Sequence, residues 1–393
     1  MACAPAVWPA TSVSPVHAME GLRPRLARMT RHWVAVPLSI SVASRLMALL
    51  LAWMAVKPGG TFGYMLRAWD GGWYTEIGTH GYGPLPVVGN TFHPLQHLVF
   101  LPVTPYSARI LSELTPLGIV EAGAVISIVT SCIAAVLLWR VVERRFGHDA
   151  ATMAVTLLMF SPHAFVLSIF YSDGIALCGV ACVFWGLDRR WWWLVALAAF
   201  VSGLTRPTGF LLALPILIVA VRAWRAREPH AWRGLLAVAA APAAAATWWL
   251  YVAHRTGSFT GYLDMQKAGW NGGVDFGATT MKSIWRAITW SSTDRMEAAS
   301  AVVLVVVGVL GLVFARRARV PAEWWWYSLA IVLMIAVNQR QSSGPRYLMA
   351  AFAVFVGWAR VIPKVLRPAA VGVAGAAMAG LAFLTWTTGK YAP

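Results

Sequence analysis

The stretch RAWDGGWYTEIGTHGYG, residues 67 to 83, follows an apolar run at 33 to 56 that is long enough to cross a bilayer. It holds two carboxylates, Asp70 and Glu76, among aromatic rings and glycines, in a chain where charge is scarce. Only 12% of the 393 residues are charged and 59% are hydrophobic, whereas an ordinary soluble domain is about a quarter charged. The composition is that of an all-α polytopic membrane protein, and the polar stretch reads as a loop between membrane helices. A net charge of +17 would suggest nucleic acid in a soluble chain, but here the first account to test is the excess of Lys and Arg in cytoplasmic loops.

Working outward from this loop, runs of apolar residues predict about eleven transmembrane helices. They lie near 33–56, 117–139, 150–171, 173–187, 191–204, 208–223, 234–252, 299–315, 322–338, 346–362 and 368–386. With the N-terminus inside, the cytoplasmic segments carry 19 Lys and Arg against 12 on the opposite side, although they are much shorter. This bias predicts a plasma-membrane protein with a cytoplasmic N-terminus and an extracytoplasmic loop at 67 to 83. Residues 1–32 lack the compact apolar core of a signal peptide and read as a disordered cytoplasmic tail. Residues 33–386 read as one integral domain with long outward loops at 57–116 and 254–298, and 387–393 as a short outward tail. Loops of that length are uncommon unless functional or disordered. Their aromatic and apolar content predicts interfacial helices instead of disorder. Cys3 falls in the tail, and Cys132, Cys178 and Cys182 fall within predicted helices, so no disulfide framework is indicated.

The outward face collects the groups able to do chemistry. The first loop holds Asp70, Glu76, His80, His93 and His97, and the second holds His254, Asp264, Lys267, Asp275, Lys282 and Arg286. Short turns add Asp173 in IFYSDG, Arg206 in GLTRPTG, and Arg340 and Arg346 in NQRQSSGPRY. Each has an ordinary explanation, since turns are polar and an interfacial Arg can meet lipid phosphate. Their coincidence on one face suits a substrate with a lipid tail and a phosphate: arginine offers a planar fork of donors, and a carboxylate accepts a proton from a hydroxyl. Asp70 in the WD pair can equally cap a helix that starts at GGWYTEIG, and Glu76 is the alternative proton acceptor. Most of the 22 tryptophans, including WWW at 191–193 and 324–326, suit membrane anchoring. Walker loops, HExxH and GxSxG are absent from the sequence. Without a cytoplasmic nucleotide-sugar domain, a sugar donor would be lipid-linked.

The ordered series WDGGWY, HGY, FLPVTP, SPHAFVLSIFYSDG and GLTRPTG resembles the PIG-V-like mannosyltransferases, the group that includes GPI mannosyltransferase II and bacterial relatives. The resemblance implies the GT-C fold, a many-helix membrane glycosyltransferase with its catalytic Asp in the first outward loop and a polyprenyl-phosphate sugar as donor. It implies Asp70 as general base, with Trp69, Trp73, Tyr74, His80, Tyr82, Tyr171, Asp173, Arg206 and Arg346 binding donor or acceptor. Thr104 stands where the group usually has Tyr and Asp173 where it usually has Glu, and GPRY around Arg346 is the weakest match. The implied reaction is inverting transfer of mannose from polyprenyl-phosphate mannose to a hydroxyl of a lipid-linked or envelope glycan. The expected partners are that donor, a glycolipid or glycan acceptor and membrane lipids, with no nucleic acid. No cofactor is required, although a divalent metal remains compatible, with His93 and His97 as the residues to consider. Alternatives are a GT-C enzyme using another polyprenyl-phosphate sugar, and a lipid or sugar flippase, for which Arg45 is the mid-membrane charge to examine. A scaffold subunit is the third, and it would tolerate substitution at Asp70 and Arg206.

Overall fold

The computed structural model describes residues 15–58, 60–83, 95–270, 272–289, 295–339 and 343–388, so His93 and Arg340 lie outside the described residues. Helix α1 (Pro15–Met54) begins upstream of the boundary set by hydropathy and contains the first apolar span, Trp33–Met54. The first long loop then forms α2 (Phe62–Leu66), α3 (Asp70–His80) and α4 (Val103–Leu114). Next come α5 (Ile119–Phe146), α6 (His148–Met159), α7 (Asp173–Arg189), α8 (Trp192–Gly203), α9 (Ala213–Arg225), α10 (Ala231–Val238) and α11 (Ala240–Thr256). The second long loop forms α12 (Gly261–Trp270) and α13 (Ala278–Ile288). The chain continues through α14 (Arg295–Val303), α15 (Leu310–Arg317), α16 (Ala322–Val337), α17 (Gly344–Tyr347), α18 (Phe352–Val361) and α19 (Arg367–Thr388). No strand forms among the described residues; Val274 and Asn338 make an isolated antiparallel bridge.

Among the described residues, six helical segments are long and apolar enough to cross a membrane: Trp33–Met54, Ile119–Phe146, Pro207–Arg225, Ala231–Thr256, Ala298–Arg317 and Lys364–Thr388. The apolar helices α8, α16 and α18 are shorter. Several of the predicted helices are not continuous: the run at 208–223 opens in the 3-10 segment Pro207–Leu212, the run at 234–252 breaks at Ala239 between α10 and α11, and the run at 299–315 passes through a π-helical segment, Leu304–Val309. The run at 346–362 divides into α17, a 3-10 turn at Leu348–Ala350 and α18. The run at 150–171 ends as helix at Met159, because Pro162 cannot donate to the helical ladder and biases Ser161 away from helical backbone.

From Phe160 to Ser172 the chain forms turns and a 3-10 segment, Ala164–Ser168, instead of helix. Such backbone is tolerated at membrane depth only inside protein, because lipid cannot satisfy its polar groups. The structure meets that condition: Phe165, Val166, Leu167, Ile169 and Phe170 are fully buried. The Phe170 N–H donates to Leu66 O at 2.9 Å, and the Ser127 hydroxyl donates to Tyr171 O at 2.7 Å. At the end of α6, Arg45 Nη2 donates to Met159 O at 3.1 Å, joined there by the Ser44 hydroxyl, so a carbonyl left free by the break has partners. Gly174 lets α7 resume against α5, since a Cβ there would sit 2.4 Å from Ser127 O. Close approach of small residues is how helices associate where lipid removes the hydrophobic drive. The break thereby sets Tyr171 and Asp173 beside the first long loop.

Candidate active site

Helix α3 is entered through Trp69, whose φ of 53° is in the left-handed region that bulky residues rarely adopt. Such strain persists only where surroundings enforce it. Here Gly72 N–H donates to Trp69 O at 3.0 Å and Asp70 N–H donates to the Tyr171 hydroxyl at 3.2 Å. Asp70 is the first helical residue, and Trp69 occupies the cap position without a side-chain capping bond. The Asp70 carboxylate instead accepts from Arg346 Nη1 at 3.2 Å.

Arg346 lies on α17, and its Nε is 3.8 Å from Asp173 Oδ1. Asp173, the first residue of α7, also accepts from Arg206 Nη1, which sits at the start of the turn leading to α9. Two carboxylates and two guanidinium groups from four separated parts of the chain therefore form one cluster of zero formal charge. Asp70 has a quarter of its side chain exposed, whereas the side chains of Asp173, Arg206 and Arg346 are at least nine-tenths buried. Burial opposes the charge of Arg346, but its neighbours, Asp173 foremost, outweigh it and hold its pKa well above the ordinary value. Arg206 is also raised, with burial overcome chiefly by Asp173. The Arg206 guanidinium lies 4.5 Å from the centre of the Tyr347 ring, and that of Arg346 lies 5.2 Å from Tyr171.

Asp70, Arg206 and Arg346 open into a cavity of about 310 Å³. Trp69, Trp73, Tyr74, Val99, Phe100 and Leu101 line it from the first long loop, and Tyr262, Gln266 and Trp270 line it from α12. Burial, reinforced by Asp70, pushes the Tyr74 phenol up, so it stays protonated and leaves Asp70 as the carboxylate in the lining. This arrangement can accept a proton at one group and hold anionic oxygens at two others.

The Dolichyl-phosphate-mannose-protein mannosyltransferase family model matches residues 93–249, which include Tyr171, Asp173 and Arg206 but neither Asp70 nor Arg346. ArnT from Cupriavidus metallidurans bound to undecaprenyl phosphate superposes with a TM-score of 0.52 at 14% identity, covering 91% of this chain and 76% of that one. The apo state of the same protein gives 0.51 at 16% identity, covering 88% and 75%. The chain has the GT-C glycosyltransferase fold. A sequence search of curated proteins finds no match.

Within this fold, the residues picked from sequence divide. Trp69, Asp70, Trp73, Tyr74, Arg206 and Arg346 line the cavity, and Tyr171 and Asp173 support it from behind. His80 and Tyr82 do not line it. His80 is exposed and pairs with Glu76 at 3.4 Å on another side of α3. Tyr82 is buried, donates its hydroxyl to Phe100 O at 2.7 Å and packs 4.9 Å from the Trp248 ring. His97 stacks on Tyr82, and no group of three His, Cys, Asp or Glu side chains able to hold a metal occurs among the described residues. Sequence reading missed Tyr262, Gln266, Trp270 and Tyr347. The first three recur at i, i+4 and i+8 on α12, a spacing that places them on one face, and Tyr347 adjoins Arg346.

Proposed function

We propose that the protein is an inverting glycosyltransferase that moves mannose from polyprenyl-phosphate mannose to a hydroxyl of a lipid-linked or envelope glycan, on the extracytoplasmic face of the membrane. The observation that carries this reading is the meeting of the Asp70 carboxylate with two buried arginines at one cavity. The family model that matches concerns a dolichyl-phosphate-mannose enzyme, and the solved ArnT structure holds undecaprenyl phosphate. The order of the WDGGWY to GLTRPTG motifs supports a PIG-V-like member within the GT-C group.

The donor is a phosphodiester with one negative charge. On arrival its oxygens take N–H groups of Arg346 and Arg206, and the Arg346 bond to Asp70 is released. The acceptor oxygen then attacks the anomeric carbon from the face opposite the phosphate, so a β-linked donor gives an α-mannoside. The new C–O bond forms as the bond from carbon to phosphate oxygen breaks. The acceptor proton goes to Asp70, while the bonding electrons go to the leaving phosphate monoester. Asp70 loses a negative charge as the phosphate gains one, so the net charge of the site is conserved. Asp173 stays behind the arginines and holds them against repulsion. A placed base contributes about 10² to 10⁴ in rate, and fixed arginines meet the developing charge without reorganising.

The flippase alternative requires charges along a path through the membrane. Arg45 is buried and bonded to the end of α6, which suits a brace better than a carrier. The test is transfer from polyprenyl-phosphate mannose in membranes carrying Asp70→Asn or Asp70→Ala. We expect a fall of about 10² to 10⁴ with the protein still folded; normal turnover by a folded variant would remove the central assignment.

A further inference from the structure

One wall of the cavity has no part in the chemistry above. Helix α12 presents Tyr262, Gln266 and Trp270 to it. Gly269 lets the helix lie against Gln96, since a Cβ there would meet the Gln96 amide nitrogen at 2.1 Å. Gln266 Nε2 donates to the Tyr262 hydroxyl oxygen at 3.1 Å. The Tyr262 proton, the second Gln266 N–H and the Gln266 carbonyl then remain for a ligand. Burial pushes the Tyr262 phenol up to about 12, so it remains a neutral donor.

Above this polar pair runs an aromatic band. The Trp270 ring meets Phe100 edge-on at 5.6 Å, and Phe100 stacks on Trp73 at 5.6 Å. The charged groups in the lining, Asp70, Arg206 and Arg346, all belong to the ionic cluster. An uncharged pyranose has the complementary make-up, with an apolar C–H face for aromatic rings and hydroxyl edges for an amide and a phenol. A cationic amino sugar would find one carboxylate, Asp70, against two arginines in the lining, and an anionic sugar would compete with phosphate for the arginines.

We propose that the α12 wall is the sugar-reading subsite: Gln266 and Tyr262 hydrogen-bond the hydroxyls of a neutral sugar whose ring lies against Trp270, and they determine which sugar is accepted. This rests on the function proposed above, because it takes the phosphate to lie on Arg206 and Arg346.

The experiment measures binding of short-chain polyprenyl phosphate to the full chain in nanodiscs, with the lipid bare or carrying mannose or an amino sugar. Wild type is compared with Gln266→Met and Tyr262→Phe, which preserve volume and remove hydrogen bonds; Trp270→Phe reports on the ring contact. In wild type, mannose should strengthen binding over the bare lipid, and the amino sugar should not. Each of the first two variants should reduce the mannose increment by about five- to tenfold and leave bare-lipid affinity alone. Equal weakening of both lipids, or of neither, overturns the assignment to α12. If wild type does not bind bare polyprenyl phosphate, the donor reading itself fails and takes the sugar subsite with it.

Discussion

Arg346 touches both carboxylates of the cluster, which makes it the residue whose shape matters most. Lysine in its place keeps the charge and loses the planar fork, so it cannot face Asp173 and a phosphate at the same time with the same geometry. Arg346→Lys is expected to lower kcat by about 10² to 10³ in a folded protein, measured as mannosyl transfer in membranes. A rise in KM with kcat unchanged would mean that Arg346 only binds the ground state. Asp173 has the opposite character. It is buried beside two arginines and does not line the cavity. Asp173→Asn should therefore act first on stability, by about 3 to 5 kcal/mol, because it leaves two buried cations with one carboxylate between them. Thermal unfolding in detergent reads this. Asp173→Glu restores the charge and should recover much of the loss, as expected for an ion-pair role.

At the scale of elements, the join between α5 and α7 determines where Asp173 lies. A methyl group at position 174 would enter the Ser127 backbone, so Gly174→Ala should push the helices apart. It should cost about 1 to 3 kcal/mol, read as a lower unfolding temperature in detergent; an unchanged melting curve would show that the join yields freely. The break that leads into this join was concealed in the sequence, because residues 150–171 are apolar enough to read as one span and only Pro162 signals otherwise. Hydropathy measures lipid compatibility, and it cannot register that Leu66 and Ser127 will satisfy an irregular backbone from elsewhere in the chain. The site shows a similar division. WDGG, YSD and TRP were legible because charge is scarce and each motif marks a helix start or turn. His80 stands apart from them: it lies ten residues along α3 from Asp70, paired with Glu76 and away from the cavity. The α12 wall is hard to see in the sequence because the charges of the second loop stand out and its neutral face does not. Asp264 bonds to Thr260 and Lys267 is exposed, while the neutral face carrying Tyr262, Gln266 and Trp270 meets the cavity.

Across the whole molecule, arginine has two settings: the buried pair Arg206 and Arg346 at the cavity, and partly exposed residues at helix ends elsewhere. Ion pairs tie the helix ends remote from the cavity: Arg144 to Asp188, Arg190 to Glu228 and Arg222 to Glu323. Surface pairs of this kind contribute little stability each, so their more informative property is the uneven distribution of basic residues between the two faces. A Lys and Arg excess in short loops orients a membrane protein with that face in the cytoplasm, so the orientation proposed here has the cavity and α13 outside. The donor proposed here agrees with that orientation, because a polyprenyl-phosphate sugar needs no soluble nucleotide. Lys282 on α13 and Arg319 between α15 and α16 are both exposed and sit on opposite sides of this scheme. With Cys3, Cys132, Cys178 and Cys182 replaced, Lys282→Cys should react with a membrane-impermeant maleimide in intact cells. Arg319→Cys should react only after permeabilisation. The reverse pattern would put Asp70 in the cytoplasm, beside soluble nucleotide sugars, and would remove the reason for expecting a lipid-linked donor.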